Sequence, residues 1–171
     1  MATRSIYNIK WNKNNLCFYR HWDGYLEEGG NELATLLVHY KDPAKFIKAM
    51  FFQSRGIYIH DMDKPLYELV NSANMGEEFI YNIIFNKENI SIDVQAEKVV
   101  YKSDKPNIDN QEFDISWSSV YKKSGKFEDV SSDFLKHCSD LSYKATQKQV
   151  GGQWYIKKQN YSKNIVIQVG H

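Results

Sequence analysis

The chain has 171 residues, of which 42% are hydrophobic and 25% charged, and its formal net charge is +1. This composition is typical of one globular domain, and it excludes a disordered tail, a collagen-like rod and a coiled coil. A nearly neutral charge argues against a uniformly basic nucleic-acid-binding face. No apolar run approaches the roughly 20 residues of a membrane-spanning helix, so we expect a cytoplasmic protein with no membrane contact.

Alternating apolar and polar residues predict a β-hairpin over residues 5–10 and 16–22, joined by an asparagine-rich turn. A loop containing three glycines follows, and Asn31 is expected to cap a helix that runs through residue 40. Asp42 and Pro43 are the cap and first-turn residues of a second predicted helix, which Gly56 ends. Apolar residues at helical spacing predict a short third helix over residues 65–74.

The second half of the chain is predicted to be rich in strands. The clearest hairpin joins residues 79–85 to residues 90–101, and a further strand covers residues 113–121. A helix over residues 132–142 and two strands, 153–157 and 165–169, complete the chain. This order predicts a single α+β domain over residues 1–171, with a mainly antiparallel sheet and two or three packed helices. Residues 1–55 supply a hairpin and two helices, and residues 56–171 a β-rich remainder.

The most unusual segment lies between the first hairpin and the first helix. It reads Tyr-Arg-His-Trp-Asp-Gly-Tyr over residues 19–25, and two more glycines follow before the helix. Glycines allow a ligand to approach the backbone, and helix N-termini attract anions. Arg20 and His21 are therefore candidates for holding a phosphate, and Trp22 or Tyr25 for stacking on a base. The candidate site also includes Asp23 and, because the hairpin brings it near, Arg4.

A purely structural role for the same segment is the competing interpretation. His21, Trp22 and Asp23 would then form a hydrogen-bonded corner, in which Gly24 supplies a positive φ angle. Two glutamates, Glu27 and Glu28, stand beside the helix start and would repel an anion. The chain also contains neither of the glycine-rich nucleotide-binding fingerprints. Both interpretations stay open on the sequence alone.

The opening of the chain resembles a family of small uncharacterised proteins that are common in bacteriophage and prophage genomes. The resemblance rests on the Thr-Arg-Ser start, on His-Trp-Asp-Gly-Tyr over residues 21–25, and on the following Gly30, Leu36-Leu37 and His39-Tyr40. It covers about residues 1–45. It implies a phage accessory gene, and such genes often encode inhibitors of host defence or of host enzymes. No catalytic residue is implied by it.

Two further groups of residues are candidate sites. The C-terminal segment from residue 141 carries five lysines and no acid, interleaved with aromatics, which is the composition of a surface that contacts a nucleic-acid backbone. Its candidate binding residues are Lys157, Lys158 and Tyr161. His60 and Asp61, together with His21 and Asp23, are residue types that bind metals, although a solvated acidic turn is the simpler interpretation.

The residues between 56 and 140 carry a net charge of −7, so mimicry of nucleic-acid phosphates is a further hypothesis. The leading hypothesis is a non-enzymatic phage protein that binds a host protein or ribonucleoprotein complex, such as a CRISPR effector, without a cofactor. The first alternative is a module that sequesters a nucleotide at the glycine-rich loop. The second is a metal-assisted phosphodiesterase.

Overall fold

The fold is known from a computed structural model, which describes residues 3–54, 64–71, 75–101 and 113–148. A six-stranded sheet and three α-helices make up the described part of the chain. In chain order the elements are β1 (Ser5–Trp11), β2 (Asn14–Arg20), a π-helical turn (Leu26–Gly30), α1 (Asn31–His39), α2 (Pro43–Phe52), β3 (Glu68–Leu69), β4 (Phe79–Asn86), β5 (Asn89–Tyr101), β6 (Phe113–Lys126) and α3 (Phe127–Lys148).

The strands lie side by side in the order β3-β2-β1-β4-β5-β6. Four of the neighbouring pairs are antiparallel, and β1 and β4 are parallel to each other. The two hairpins predicted from the sequence are therefore joined along β1 and β4, and α1 and α2 lie in the connection between them. The prediction of an α+β domain with a mainly antiparallel sheet is confirmed.

The three helices pack on one face of the sheet. Alternate residues of the central strands enter a common core with the apolar sides of α1, α2 and α3. Tyr7 of β1 and Tyr81 of β4 are fully buried there, and their rings stack with centroids 4.7 Å apart. Tyr67 meets Tyr7 edge-on at 5.1 Å. Because each aromatic ring removes a large apolar area from water, this trio is the centre of the core.

Local sequence signals were confirmed where a turn or cap depends on few residues. Asp42 caps α2 by accepting a hydrogen bond from the Lys45 amide at 3.0 Å, with Pro43 in the first turn. The turn between β4 and β5 lies where it was expected, with a positive φ at Lys87. Asn31 is not the cap of α1, because its side chain instead accepts a hydrogen bond from Ser139 of α3.

The helix expected over residues 65–74 is wrong in the described part of that range. Glu68 and Leu69 form β3 and pair with Tyr19 and Phe18 of β2. Tyr67 beside them is buried in the core. The apolar residues of this segment have helical spacing, but the segment instead pairs with the edge of β2 and buries the Tyr67 ring. Tertiary contacts of this kind routinely override local propensity.

One outer edge of the sheet is β6, and part of it is strongly apolar. Phe113, Ile115 and Trp117 lie on the face opposite the helices, with 53%, 52% and 37% of their surface exposed.

The acidic residues of β5 and β6, which belong to the segment considered for phosphate mimicry, do not form one array. Asp93 and Glu97 lie on the face opposite the helices, and Asp114 lies on the other face. Three further acidic residues of the segment considered for phosphate mimicry, Asp104, Asp109 and Glu112, lie outside the described residues.

Helix α3 is tied to β6 by a cluster of polar groups. The Tyr121 hydroxyl donates a hydrogen bond to Asp133 at 2.8 Å, and the Lys123 ammonium lies 3.0 Å from the same carboxylate. Two hydrogen bonds lower the pKa of Asp133 below its ordinary value. The bond from Tyr121 has the larger effect, and the bond from Lys123 the next largest. A carboxyl whose pKa is lower in the folded state stabilises the fold above its unfolded pKa, and this contribution disappears as the pH falls through the folded value.

We therefore expect Asp133→Asn to lose less stability than the wild type between pH 6 and pH 2.5. The measurement is the free energy of unfolding in urea at a series of pH values. Tyr121→Phe should reduce the same acid sensitivity, because it removes the largest cause of the shift. If the free energy of unfolding falls between pH 6 and pH 2.5 by the same amount in both variants as in the wild type, this role of Asp133 is contradicted.

No α-helix in the described ranges is both long enough and apolar enough to cross a bilayer. The strands expected over residues 153–157 and 165–169 lie outside the described residues, as do Lys157, Lys158 and Tyr161.

Candidate partner-binding corner

Residues 20–25, called the corner below, connect the end of β2 to the π-helical turn. The backbone of the corner is held from three directions. The Gly24 amide donates to the Thr3 carbonyl at 2.8 Å, and the Tyr81 hydroxyl donates to the Gly24 carbonyl at 2.8 Å. The Gly29 amide donates to the Asp23 carbonyl, also at 2.8 Å. These bonds hold the backbone of the corner against the residues just before β1, against β4 and against the π-helical turn.

Arg20 lies beneath the corner and not on its surface, so the expected phosphate-holding role does not fit its position. Only 3% of the residue is exposed. Its Nη1 forms a buried ion pair with Glu32 of α1, and its Nε donates to the Trp22 carbonyl at 2.6 Å. Register explains this position, because Arg20 pairs with Ser5 and shares the helix-covered face of the sheet with it.

The electrostatics of the buried pair follow from its surroundings. Burial is the largest single influence on the pKa of Arg20 and lowers it, but the Glu32 carboxylate, the Tyr7 and Tyr67 hydroxyls and the hydrogen bond to Glu32 together raise the net pKa above the ordinary value. The guanidinium carbon also lies 5.9 Å from the centre of the Tyr67 ring, within reach of a cation–π interaction. Burial raises the pKa of Tyr7 nearby to about 12. The charged guanidinium is thus the only cation among neutral phenols and one carboxylate in this described part of the core.

Sequence reasoning missed Glu32, although a signal for it exists. Glu32 precedes Leu36 by four residues, so it belongs to the stripe of α1 that faces the core. A carboxylate on an apolar stripe needs a buried partner, because an isolated buried charge is strongly unfavourable. A basic residue was therefore to be expected beside it, but the sequence pattern does not indicate which one.

The sequence suggested that Gly24 supplies a positive φ angle, but Gly24 is required for a different reason, the close approach of its backbone to β1. The positive φ of the corner, 55°, occurs at Asp23. A Cβ at Gly24 would lie 2.5 Å from Ser5 Oγ and 2.6 Å from Ser5 Cβ. The corner therefore touches β1 at a distance that only glycine permits.

Trp22 is the outward-facing member of the corner. Half of its surface, 51%, is exposed, and its ring meets the His21 ring edge-on at 4.7 Å. The half-buried His21 is hydrogen-bonded through Nδ1 to the Tyr19 hydroxyl at 2.7 Å. The corner is therefore partly buried. The Arg20 guanidinium beneath it lies inside the protein, whereas the Trp22 indole above it faces solvent.

Asp23 and Tyr25 flank the indole. The Asp23 side chain is exposed, and the half-buried Tyr25 hydroxyl points to it at a long distance of 3.5 Å. Burial raises the pKa of Tyr25, and the charges of Glu28 and Asp23 raise it further. Tyr25 therefore remains a neutral hydroxyl at physiological pH, beside a carboxylate that faces solvent.

Arg4 does not join Arg20 as expected. Its neighbour Ser5 pairs with Arg20, so the side chain of Arg4 lies on the opposite face of the sheet. The guanidinium approaches Gly76, where a Cβ would meet its Nη1 at 2.7 Å. The hairpin brings the two backbones together but separates the two cations.

The loop before α1 uses its amides internally. Gly24 and Gly29 donate as described, and the Gly30 amide donates to the Tyr25 carbonyl at 3.1 Å. These glycine N–H groups do not face outward toward a phosphate, which argues against the nucleotide site expected there. Within the described ranges no three metal-binding side chains converge around His21 and Asp23. His60 and Asp61 lie outside those ranges.

Comparison of the chain with protein-family models gives no match, and neither does comparison with curated proteins or with solved structures. The resemblance to phage proteins over residues 1–45 stays a prediction from sequence. These comparisons therefore indicate no function for the chain.

Proposed function

We propose that this is a non-enzymatic phage or prophage accessory protein, which acts by binding a host protein or ribonucleoprotein complex through the corner. The observation that carries the proposal concerns Trp22. Its indole is half exposed, while its backbone carbonyl accepts a hydrogen bond from the buried Arg20. Tryptophan is enriched among the residues that dominate binding energy at protein interfaces. An exposed indole at a surface turn is an anchor of this kind.

Rigidity beneath the indole supports the same function. Arg20 fixes the Trp22 carbonyl from below, and Glu32 fixes Arg20. An anchor whose backbone is already ordered loses little conformational entropy when a partner binds. His21 and Asp23 on either side provide a polar margin, which is the usual surround of an apolar anchor. The corner is therefore a pre-organised binding element.

The identity of the partner class rests on the sequence resemblance. Small accessory proteins of phages often inhibit host defence, so we propose a host defence complex, such as a CRISPR effector, as the target. Two polar side chains of the corner are already engaged internally, Arg20 with Glu32 and His21 with Tyr19. Such groups are suited to support a contact surface rather than to transfer protons.

The test is Trp22→Ala, compared with Phe52→Ala as a matched control. Phe52 is another exposed aromatic residue, with 73% of its surface accessible, on α2. The protein is expressed in bacteria that carry an active CRISPR effector and are infected with a targeted phage. Wild-type protein should restore plaque formation, and Trp22→Ala should weaken binding to the purified effector by about 30-fold, the effect of removing an interface anchor.

Phe52→Ala should behave as wild type in both assays, and the melting temperature of each variant establishes that it is folded. Normal plaque restoration by a folded Trp22→Ala variant would contradict the role of the corner. Failure of the wild-type protein to restore plaques against any effector would contradict the proposed target class.

A further inference from the structure

A cleft of about 570 Å³ lies on the face of the sheet opposite the helices. Ligand-binding clefts of small molecules usually measure roughly 300–1,000 Å³. The cleft is lined by residues from β1, β2 and β4 and from the segment after β3: Asn8, Ile9, Lys10, Asn15, Leu16, Cys17, Val70, Asn71, Asn82 and Ile84. Its lining contains four asparagines and one lysine, and none of these residues is acidic.

Strand register places two rows of side chains across the floor. One row consists of Cys17, Asn8 and Asn82, which are direct neighbours on β2, β1 and β4. The next row consists of Asn15, Lys10 and Ile84, in the same strand order. Paired residues of neighbouring strands point to the same face, so all six side chains belong to one surface.

The centre of the floor is a pair of amides. Asn8 Nδ2 donates to Asn82 Oδ1 at 3.0 Å, and both side chains are partly buried. Each amide has two N–H donors and an oxygen that accepts two hydrogen bonds, so one shared bond leaves donors and an acceptor free to face a ligand. Asparagine amides recognise the edge of a heterocyclic base through this combination of a donor and an acceptor.

The surroundings of the amide pair fit the remaining parts of such a ligand. The segment after β3 is fixed at one side, because the Val70 amide donates to the Cys17 carbonyl at 2.9 Å. Ile84 is 43% exposed on the other side and offers apolar surface to a flat ring. Lys10 is exposed in the second row and carries the ammonium group that an anionic substituent requires.

We propose that this cleft binds a nucleoside monophosphate. The base edge meets the Asn8–Asn82 amide pair, the ring lies against Ile84, and the phosphate meets Lys10. This site is separate from the corner, because Trp22 is not part of the lining. The proposal therefore goes beyond the binding function of the corner and can fail or succeed independently of it.

Cys17 provides a direct reporter of occupancy. The chain has two cysteines, and Cys138 is fully buried, whereas Cys17 lies half-buried in the floor of the cleft. An alkylating agent applied to the folded protein at alkaline pH should therefore label Cys17 alone. Mass spectrometry of the labelled peptide gives the rate, and each of the four ribonucleoside 5′-monophosphates is tested for slowing it.

At least one monophosphate should slow the labelling of Cys17 in a saturable manner. The corresponding nucleoside should protect less, and inorganic phosphate should not protect. Lys10→Gln should weaken protection by that monophosphate about tenfold, because a charge-assisted hydrogen bond is lost, and should leave protection by the nucleoside unchanged. Lys13→Gln, which alters an exposed lysine of the neighbouring turn, is the matched control and should behave as wild type.

Three outcomes would overturn the proposal. The first is labelling of Cys17 that no monophosphate slows at millimolar concentration. The second is equal behaviour of the two lysine variants. The third is protection by a 5′-phosphorylated trinucleotide but by no mononucleotide, which would indicate a nucleic-acid end as the ligand. Asn82→Leu tests the amide pair separately, and the lysine comparison keeps the test valid if that variant does not fold.

Discussion

Replacing Glu32 by alanine is expected to lower the free energy of unfolding by about 3–5 kcal/mol, because it leaves a buried cation without its partner. Arg20 is 3% exposed and its guanidinium lies over the Tyr67 ring, so in this position the charge is shielded from solvent. Its bond to the Trp22 carbonyl depends on this position. The measurement is urea unfolding at pH 7, followed by the fluorescence of the four tryptophans.

The control is the double variant Arg20→Met with Glu32→Leu, which removes both charges and keeps apolar volume in the core. Buried ion pairs replaced in this way by apolar residues often lose little stability, so the double variant should be more stable than Glu32→Ala. It should nevertheless bind the partner less well, because the Trp22 carbonyl loses its donor. If Glu32→Ala has the same midpoint of urea unfolding as the wild type, the ion pair does not support the corner.

Gly24→Ala is the second substitution with a large expected effect, a loss of about 3 kcal/mol, at the upper end of the range for overpacking. The new methyl group would lie 2.5–2.6 Å from the Ser5 side chain and 2.9 Å from the Thr3 carbonyl. Neither neighbour can retreat easily, because Ser5 is fully buried and the Thr3 carbonyl accepts the Gly24 amide. Thermal and urea unfolding both measure the loss.

Gly30→Ala serves as the comparison within the same region. The three nearest neighbours of a Cβ at Gly30, outside the backbone of its own helix, are side-chain atoms at 3.2 Å: Cys138 Sγ, Leu26 Cδ2 and the Tyr81 hydroxyl oxygen. Side chains adjust by a few tenths of an ångström more readily than backbone does, so its loss should be smaller than that of Gly24→Ala. The reverse order would show that the corner does not depend on its contact with β1.

Local patterns predicted the fold well where the deciding interaction lies within a few residues. The Asp42 cap and the hairpin turn at residues 86–89 are of this kind. The parallel pairing of β1 with β4 is different, because it joins residues 74 positions apart, such as Asn8 and Asn82. No local pattern contains that information, so neither the sheet order nor the cleft was predictable.

The sequence indicated the unusual segment but not its geometry. Under the binding interpretation, Arg20 and Trp22 were both expected to face outward. Strand alternation and the buried partner Glu32 separate them. In the same way, alternation over residues 113–121 indicated a strand but did not show that Ile115 and Trp117 face away from the helices.

The corner depends on β4 as well as on its own residues. Tyr81 donates a hydrogen bond to the Gly24 carbonyl and stacks on Tyr7, although it lies 57 positions after Gly24 in the chain. Residues 1–45 therefore do not fix the corner by themselves. A segment transplanted from this chain onto another scaffold would lose this hydrogen bond unless the new scaffold supplied a hydroxyl in the place of Tyr81.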